Sequence, residues 1–408
     1  MNNNRPASLG IISCPGAETF SSEIIKQLRG IHRTKYARMA RALSRKYEIN
    51  IDDAVRRINL ASDLNSPKPR HNSPADQIVP PRFRLPVAFT RFANGEFKAE
   101  LQASIRGMEI FIVQDVENHY PIECNGGELY RLSVNDHCMI LFTTIDAALQ
   151  AGAESVTLVL PTYPFGRQHE KKGREALSAA MFGRLVEHLG VSRVITLDIH
   201  SKEIENSFHH VRLENLHGSF QILKKLKSIV DLDSDMVVVS PDTGAVDRNK
   251  FYAGNLGKPL GLIYKERDYT RITKSADDNN ITSLRLLGSV RDRTVFMADD
   301  LLGTGGTLIK AMQFLKSEGA REIVCAASLP LFTGNAIESF DEAYERGYFH
   351  RIIGTNGVHH DEALLHREWY VQASIADLFA RIIFRLHHGR SLSELLDNRQ
   401  IIQNLLAR

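Results

Sequence analysis

Residues 295–307 carry the densest chemistry in this 408-residue chain. An apolar strand-like run, Val295 to Ala298, is followed by two adjacent carboxylates, Asp299 and Asp300. A turn of small residues then follows: Gly303, Thr304, Gly305, Gly306 and Thr307. Such a turn, opening a helix near Leu308, offers backbone N–H groups and hydroxyls at a helix N-terminus, which is a ready anion site. The carboxylates just before it are placed to hold a ribose diol or its metal while the turn holds a phosphate. This suits a sugar phosphate better than a dinucleotide, and the glycine spacing matches neither a Rossmann nor a Walker loop.

Five further clusters have useful chemistry. Phe92, Asn94, Gly95 and Glu96 place an aromatic ring, an amide and a carboxylate around a Gly bend, a workable adenosine contact or simply a hairpin end. Residues 161–174 form a Pro/Gly loop after a strand, with Arg167, Gln168, Lys171, Lys172 and Arg174 able to meet polyphosphate. Asp198 and His200 sit two apart at a strand end, so both side chains can point the same way. They read as a Mg²⁺ or phosphate contact, or as a structural pair. Asp242 is displayed at a strand-to-helix turn, either as a cap or as a metal and substrate carboxylate. Lys265 and Arg267, separated by one residue on an expected loop, are cations able to close over a phosphate chain; such triplets are otherwise surface charge.

These clusters need elements to hold them. Strand-like runs at 9–13, 110–113, 156–160 and 193–197 alternate with helix-like segments at 19–28, 135–150 and 176–189. Further strands are expected at 236–240, 259–263, 295–298 and 322–327, with helices at 244–256 and 308–318. The alternation predicts an α/β fold of two domains, each a mainly parallel sheet flanked by helices. The boundary is expected near 216, giving domains over 1–216 and 217–408.

Residues 29–87 break the rhythm. Basic residues crowd 29–57, with Tyr36, Met39, Leu43 and Tyr47 at helical spacing, and 62–86 is rich in Pro, Ser, Asn and Arg, as in an irregular connection. The basic stretch reads either as an accessory surface for a partner or polyanion, or as a solvated helix docked on its own domain.

The formal net charge is +3, which is not the signature of a nucleic-acid-binding chain, so nucleic acid is not expected as a partner. Four scattered cysteines form no Cys-x-x-Cys pair and fit free thiols in a reducing compartment. No run approaches the ~20 apolar residues of a membrane helix. A cytoplasmic protein without membrane contact is the expectation.

In this order, the clusters resemble ribose-phosphate pyrophosphokinases, also called phosphoribosyl pyrophosphate synthetases. The likeness extends to 214–216 and 386–396, with 29–87 and 115–130 standing as insertions. It implies phosphoribosyltransferase-like domains with the active site between them. It also implies transfer of the β,γ-diphosphoryl group of ATP to the C1 hydroxyl of ribose 5-phosphate, in a Mg²⁺-dependent homo-oligomer. By resemblance, Phe92, Asn94, Gly95, Glu96, Arg167 and Gln168 serve ATP. His200, Asp242, Asp198 and Glu214 serve metal. Lys265 and Arg267 are the catalytic cations. Asp299, Asp300, Gly303, Thr304, Gly305, Gly306 and Thr307 bind ribose 5-phosphate. Gly303 stands where the family usually has Asp, His169 where Asp is common, and Glu214 where Asp is usual. Two other readings remain: a non-catalytic member that regulates or scaffolds an active synthetase, and a phosphoribosyltransferase, which the ATP-side clusters disfavour.

Overall fold

The computed structural model describes residues 8–64, 74–125, 127–171, 173–267 and 281–407, without the side chains of 265–267 and 281–283. Two sheets organise it. The first is five-stranded and all parallel, ordered Ser8–Ser13, Met108–Val113, Ser155–Val159, Arg193–Leu197 and Arg212–Leu216. The second is ordered Ile281–Leu287, Leu260–Arg267, Met236–Ser240, Thr294–Leu302, Glu322–Pro330, Arg351–Thr355 and Tyr370–Ala373. Its first strand is antiparallel and the rest are parallel. The chain lays down Met236–Ser240, steps outward twice, then returns to place Thr294–Leu302 on the other side. That reversal is a topological switch point, and ligands of open parallel sheets bind outside the carboxyl ends of the strands there.

The expected strands and helices are present, but four boundaries move. The first helix does not end near residue 28. It runs Glu18–Tyr47, because no proline interrupts it and its apolar positions keep finding partners. Phe20, Ile24 and Leu28 bury against the first sheet's neighbours, and Ala40 and Leu43 pack on Ala54 and Val55 of a second helix, Ile51–Leu64. Residues 29–64 are therefore largely a helical hairpin. The following connection is not wholly irregular either: the Phe83 carbonyl accepts from Ile11 N at 2.7 Å, and Leu85 N donates to the Ile11 carbonyl at 2.9 Å. Its residues 65–73 lie outside the described set.

The strand expected at 295–298 continues through Leu302, so Asp299 and Asp300 are strand residues with alternating faces rather than turn residues. The strand expected at 259–263 extends to Arg267, so Lys265 and Arg267 lie on strand backbone, not in a loop. Antiparallel pairing with Ile281–Leu287 accounts for this extension, a partner that periodicity over 259–263 does not reveal.

The two halves interlock. The helix Ala376–His387, near the end of the chain, lies against the first sheet, where Phe379, Ile382 and Ile383 join Ile11, Phe111 and Ile195 in one core. Phe20 meets Phe379 edge to face at 5.3 Å, and His387 Nδ1 pairs with Glu109 Oε2 at 2.7 Å.

Asp198 is the polar counterpart of that join. It sits just past Leu197 in a left-handed backbone conformation, φ 42°, and is buried. It accepts from His217 Nδ1 at 2.8 Å, Gly218 N at 3.0 Å and Ser328 Oγ at 2.5 Å, and lies 3.6 Å from Arg248 NH1. Burial alone would raise its carboxyl. The His217 hydrogen bond and the Arg248 charge more than reverse this and hold it below the usual carboxylate range. Asp198→Asn is expected to lose about 2–4 kcal/mol of stability, since it removes a buried carboxylate from its hydrogen-bond donors and leaves the half-buried Arg248 guanidinium short of its counter-charge. Urea unfolding checks this, and a loss under about 0.5 kcal/mol would contradict it.

Candidate active site

The carboxyl ends of both sheets converge on one contact. His200, just beyond the strand Arg193–Leu197, pairs through Nδ1 with Asp300 Oδ2 at 2.6 Å. Asp300 is nearly buried on the strand Thr294–Leu302. The bond therefore joins a loop of the first sheet to the carboxylate pair of the second, across 100 residues of sequence.

The electrostatics of the pair are asymmetric. Burial pushes Asp300 up, but the His200 bond, the Asp299 contact and the Arg248 charge outweigh it and keep Asp300 ionised well below its ordinary range. Asp299 goes the other way: burial, then Asp300 and Asp242, raise its carboxyl. Asp300 raises the His200 imidazole above its ordinary value, and burial only partly opposes this. A histidine raised in the folded state stabilises fully below its unfolded pKa, about 6.5, and loses that contribution as pH rises through the folded value. The thermal-midpoint gap between wild type and His200→Gln is accordingly expected to be widest near pH 6 and to shrink on the alkaline side. A gap constant to pH 9 would contradict the pairing.

Asp242 follows the strand Met236–Ser240 at the switch point. Its Oδ1 accepts from Ala245 N at 3.1 Å and braces the turn ahead of the helix Val246–Leu256; Ala245 is the N-cap and no side chain caps that helix, so the cap reading is not met. It is also close enough to Asp299 to raise it. Bracing the turn and serving as a site carboxylate are compatible roles for one side chain.

The turn after Leu302 is built as an open cradle. Gly305 is the N-cap of the helix Gly306–Ser317, at φ 77°, and a Cβ there would lie 2.3 Å from Phe340 Cε2. Only glycine fits, both for the left-handed backbone and for the close approach of the ring. Thr304, Gly306 and Thr307 are exposed. The first-turn amides of the helix have no intrahelical acceptor, as at every helix N-terminus, and so remain available to an anion.

Arg167 reaches this turn from the other half. It is exposed in the loop after the strand Ser155–Val159, and its NH2 lies 3.5 Å from where a Cβ on Gly303 would stand. It is close enough to act on both His200 and Glu117. Gln168 is exposed beside it, its N–H donating to the Phe165 carbonyl at 2.8 Å. Lys171 is exposed as well, and Lys172 lies outside the described residues.

Phe92, Asn94, Gly95 and Glu96 form the turn of a hairpin, Val87–Arg91 with Phe97–Leu101, so the hairpin reading of the hexapeptide is correct. The Phe92 N–H donates to the Glu96 carbonyl at 2.8 Å, and Phe92 is 46% exposed. Together with Asp136, Met139 and Thr143 of the helix Val134–Gln150, the turn lines a pocket of about 430 Å³. Among the described residues, no hydrogen bond or ion pair links this turn to the His200–Asp300 group. Asn125, from the second insertion, clips the hairpin end by donating to the Arg91 carbonyl and accepting from Arg91 N, at 2.6 and 2.8 Å.

Two expected metal residues are otherwise employed. Both Asp198 oxygens are taken by the protein donors described above. Glu214 pairs with Arg193 on the adjacent strand. Arg248, not among the expected site residues, is the half-buried cation serving Asp198, Asp299 and Asp300 together. Its position within the run 240–248 was the available signal. His217 and Ser328 had none, because their contacts to Asp198 span 19 and 130 residues. The side chains of Lys265 and Arg267 lie outside the described residues.

Two family models match this chain: the N-terminal domain of ribose phosphate pyrophosphokinase over residues 83–190, and the phosphoribosyl transferase domain over 211–366. Ribose-phosphate pyrophosphokinase A of Dictyostelium discoideum is 31% identical over 309 residues, covering 76% of this chain and 89% of that protein. The chain belongs to the ribose-phosphate pyrophosphokinase family. The ribose-phosphate pyrophosphokinase of Parasynechococcus marenigrum is likewise 31% identical, over 84% of this chain and 94% of its own length. The fold is that of the phosphoribosylpyrophosphate synthetase from Mycobacterium smegmatis, with TM-score 0.68 and 23% identity over 94% of this chain and 99% of the other.

Proposed function

We propose that this chain is a ribose-phosphate diphosphokinase. It transfers the β,γ-diphosphoryl group of ATP to the C1 hydroxyl of ribose 5-phosphate, giving 5-phosphoribosyl 1-diphosphate and AMP. Within the family, the observation that carries the reading is the His200–Asp300 bond, which joins a loop of the first sheet to the carboxylate pair ahead of the anion turn.

The roles follow from the chemistry of each group. The Thr304–Thr307 turn receives the 5-phosphate on backbone amides and hydroxyls, with Gly303 opening it. Asp299 and Asp300 hold the ribose hydroxyls. Arg167 and Gln168 hold the triphosphate, and the hairpin Phe92–Glu96 is the adenosine contact. Lys265 and Arg267 neutralise charge on the transferring group. The C1 oxygen attacks the β-phosphorus in line while the bond to the α-phosphate oxygen breaks, so positioning and charge neutralisation lower the barrier.

Magnesium fits this donor set. Asp299 and its neighbours Asp300 and Asp242 crowd negative charge that a hard cation would relieve, as the raised Asp299 carboxyl attests. Among the described residues no group of three or more His, Cys, Asp or Glu side chains is placed to hold a metal ion by itself, so a magnesium ion here would depend on waters and substrate phosphates for most of its ligands. Asp242, Asp299 and the exposed edge of His200 would hold it, and it would supply charge neutralisation on the diphosphoryl oxygens. Asp198 and Glu214 are assigned instead to holding the fold. The division near residue 216, a homo-oligomeric state and a cytoplasmic location complete the proposal. Among the described residues, no helix is long and apolar enough to cross a membrane.

The reading is tested by incubating purified protein with ATP, Mg²⁺ and ribose 5-phosphate. AMP formed only when all three are present supports it; none under varied phosphate and metal would sink it. Gly303→Asp is expected to place a carboxylate on Arg167, since the ideal Cβ already lies 3.5 Å from its NH2. An exposed pair of this kind is worth up to ~1 kcal/mol. It would divert Arg167 and raise the KM for ATP about 3–5-fold; an unchanged or lower KM would contradict the role of Arg167.

A further inference from the structure

The helix Glu18–Tyr47 carries a surface that the proposed reaction does not use. No Asp or Glu occurs between Glu23 and Glu48, while eight Lys and Arg residues do. With the whole chain at only +3, the remainder is net acidic, and the chain-wide balance conceals a strongly segregated charge.

Six of these cations form a repeated ladder. Lys26, Arg29 and Arg33 stand at i, i+3 and i+7, and Arg38, Arg41 and Arg45 repeat that spacing twelve residues on. All six are exposed. The second set is turned by about a third of a revolution from the first. The packed face turns with it: Ile24 and Leu28 face the chain's core, whereas Ala40 and Leu43 face the second helix. The arginines thus keep to the outer side along the whole helix. On the second helix Arg56 pairs with Asp53, and among the described residues none of the six has an ion pair.

A helix face that only needed solvation would mix both signs, as soluble surfaces do. Here four successive pairs at i, i+3 or i, i+4 are like-charged, each of which weakens the helix. What relieves such a ladder is a regular array of negative charge. From Arg29 to Arg45 the ridge runs about 24 Å. A nucleic-acid duplex offers a charge about every 1.7 Å along its axis, and arginine guanidinium groups bind phosphate oxygens bidentately.

We propose that this helix face is a docking surface for the phosphate backbone of a nucleic-acid duplex, bound without sequence preference. The inference does not rest on the diphosphokinase reading. Fluorescence anisotropy of a labelled 24-base-pair mixed-sequence RNA duplex, titrated with full-length protein from 50 to 200 mM KCl, tests it. Binding with a log–log salt slope of about −4.5 to −5.5 is expected for five or six neutralised phosphates. The triple variant R38E/R41E/R45E, on exposed sites that are not among the proposed site residues, should lose at least 30-fold in affinity and flatten the slope by roughly 3. Its helical circular dichroism and AMP formation should be unchanged. If it misfolds, R29Q/R33Q/R41Q replaces it, with about a tenfold loss expected. Absence of wild-type binding at 50 mM KCl overturns the proposal, as does unchanged affinity in the folded variant. Tighter binding of polyglutamate than of a duplex of equal charge also overturns it, and would mark the face as one for an acidic protein.

Discussion

Lys265→Ala is expected to lower kcat by about 10²–10³-fold while leaving the fold intact. The backbone of Lys265 lies on the strand Leu260–Arg267, in register with Leu284 of the antiparallel edge strand. The sheet ladder is made by backbone N–H and C=O groups, which the substitution keeps. In the role proposed for Lys265, the substitution removes a cation that meets the charge developing in the transition state, and single electrostatic donors of that kind are worth roughly that much. Because the interaction strengthens as the bond to the α-phosphate breaks, the loss should fall on kcat more than on KM. Steady-state kinetics with both substrates varied, beside a thermal melt, checks this. A variant retaining full kcat would remove Lys265 from the mechanism.

Asp300→Asn should have an effect of similar size, distributed differently. Asp300 is almost buried, bonds to His200 Nδ1 at 2.6 Å, and shares Arg248 with Asp198. An amide keeps the shape but loses the charge that raises His200 and helps compensate Arg248. Loss of a ribose and metal carboxylate should raise the KM for ribose 5-phosphate about tenfold or more and cut kcat about 10²-fold. Separation of the partly buried pair should cost stability of about 1–3 kcal/mol. The readouts are kinetics and urea unfolding. Reduced stability with unchanged kinetics would make Asp300 a purely structural partner of His200.

Much of the architecture was legible because parallel strands buried on both faces are nearly continuous apolar runs. Met236–Ser240 and Arg193–Leu197 were readable for that reason. The anion turn was readable because its requirement is local: a run of small residues with Gly305 at a positive φ opens the helix. Contacts set by tertiary structure were not readable. The helix Glu18–Tyr47 runs past residue 28 because the hairpin partner Ile51–Leu64 gives its later turns something to bury, and nothing near residue 28 announces that partner. Asp198 and His200 looked equivalent at a strand end. Only the approach of His217, Ser328 and Arg248 makes Asp198 a structural hub, while His200 turns to Asp300. The reach of Arg167 toward Gly303 likewise depends on how the two sheets face each other.

The central claim is that both halves act on one intact diphosphoryl transfer. Phosphorus NMR of the reaction mixture containing ATP, Mg²⁺ and ribose 5-phosphate tests it most directly. The account predicts that ATP resonances decay into AMP and a sugar 1-diphosphate in equal amounts, with the β- and γ-phosphorus atoms remaining bonded to each other. Accumulation of ADP with a singly phosphorylated C1, or of free phosphate alone, would contradict it.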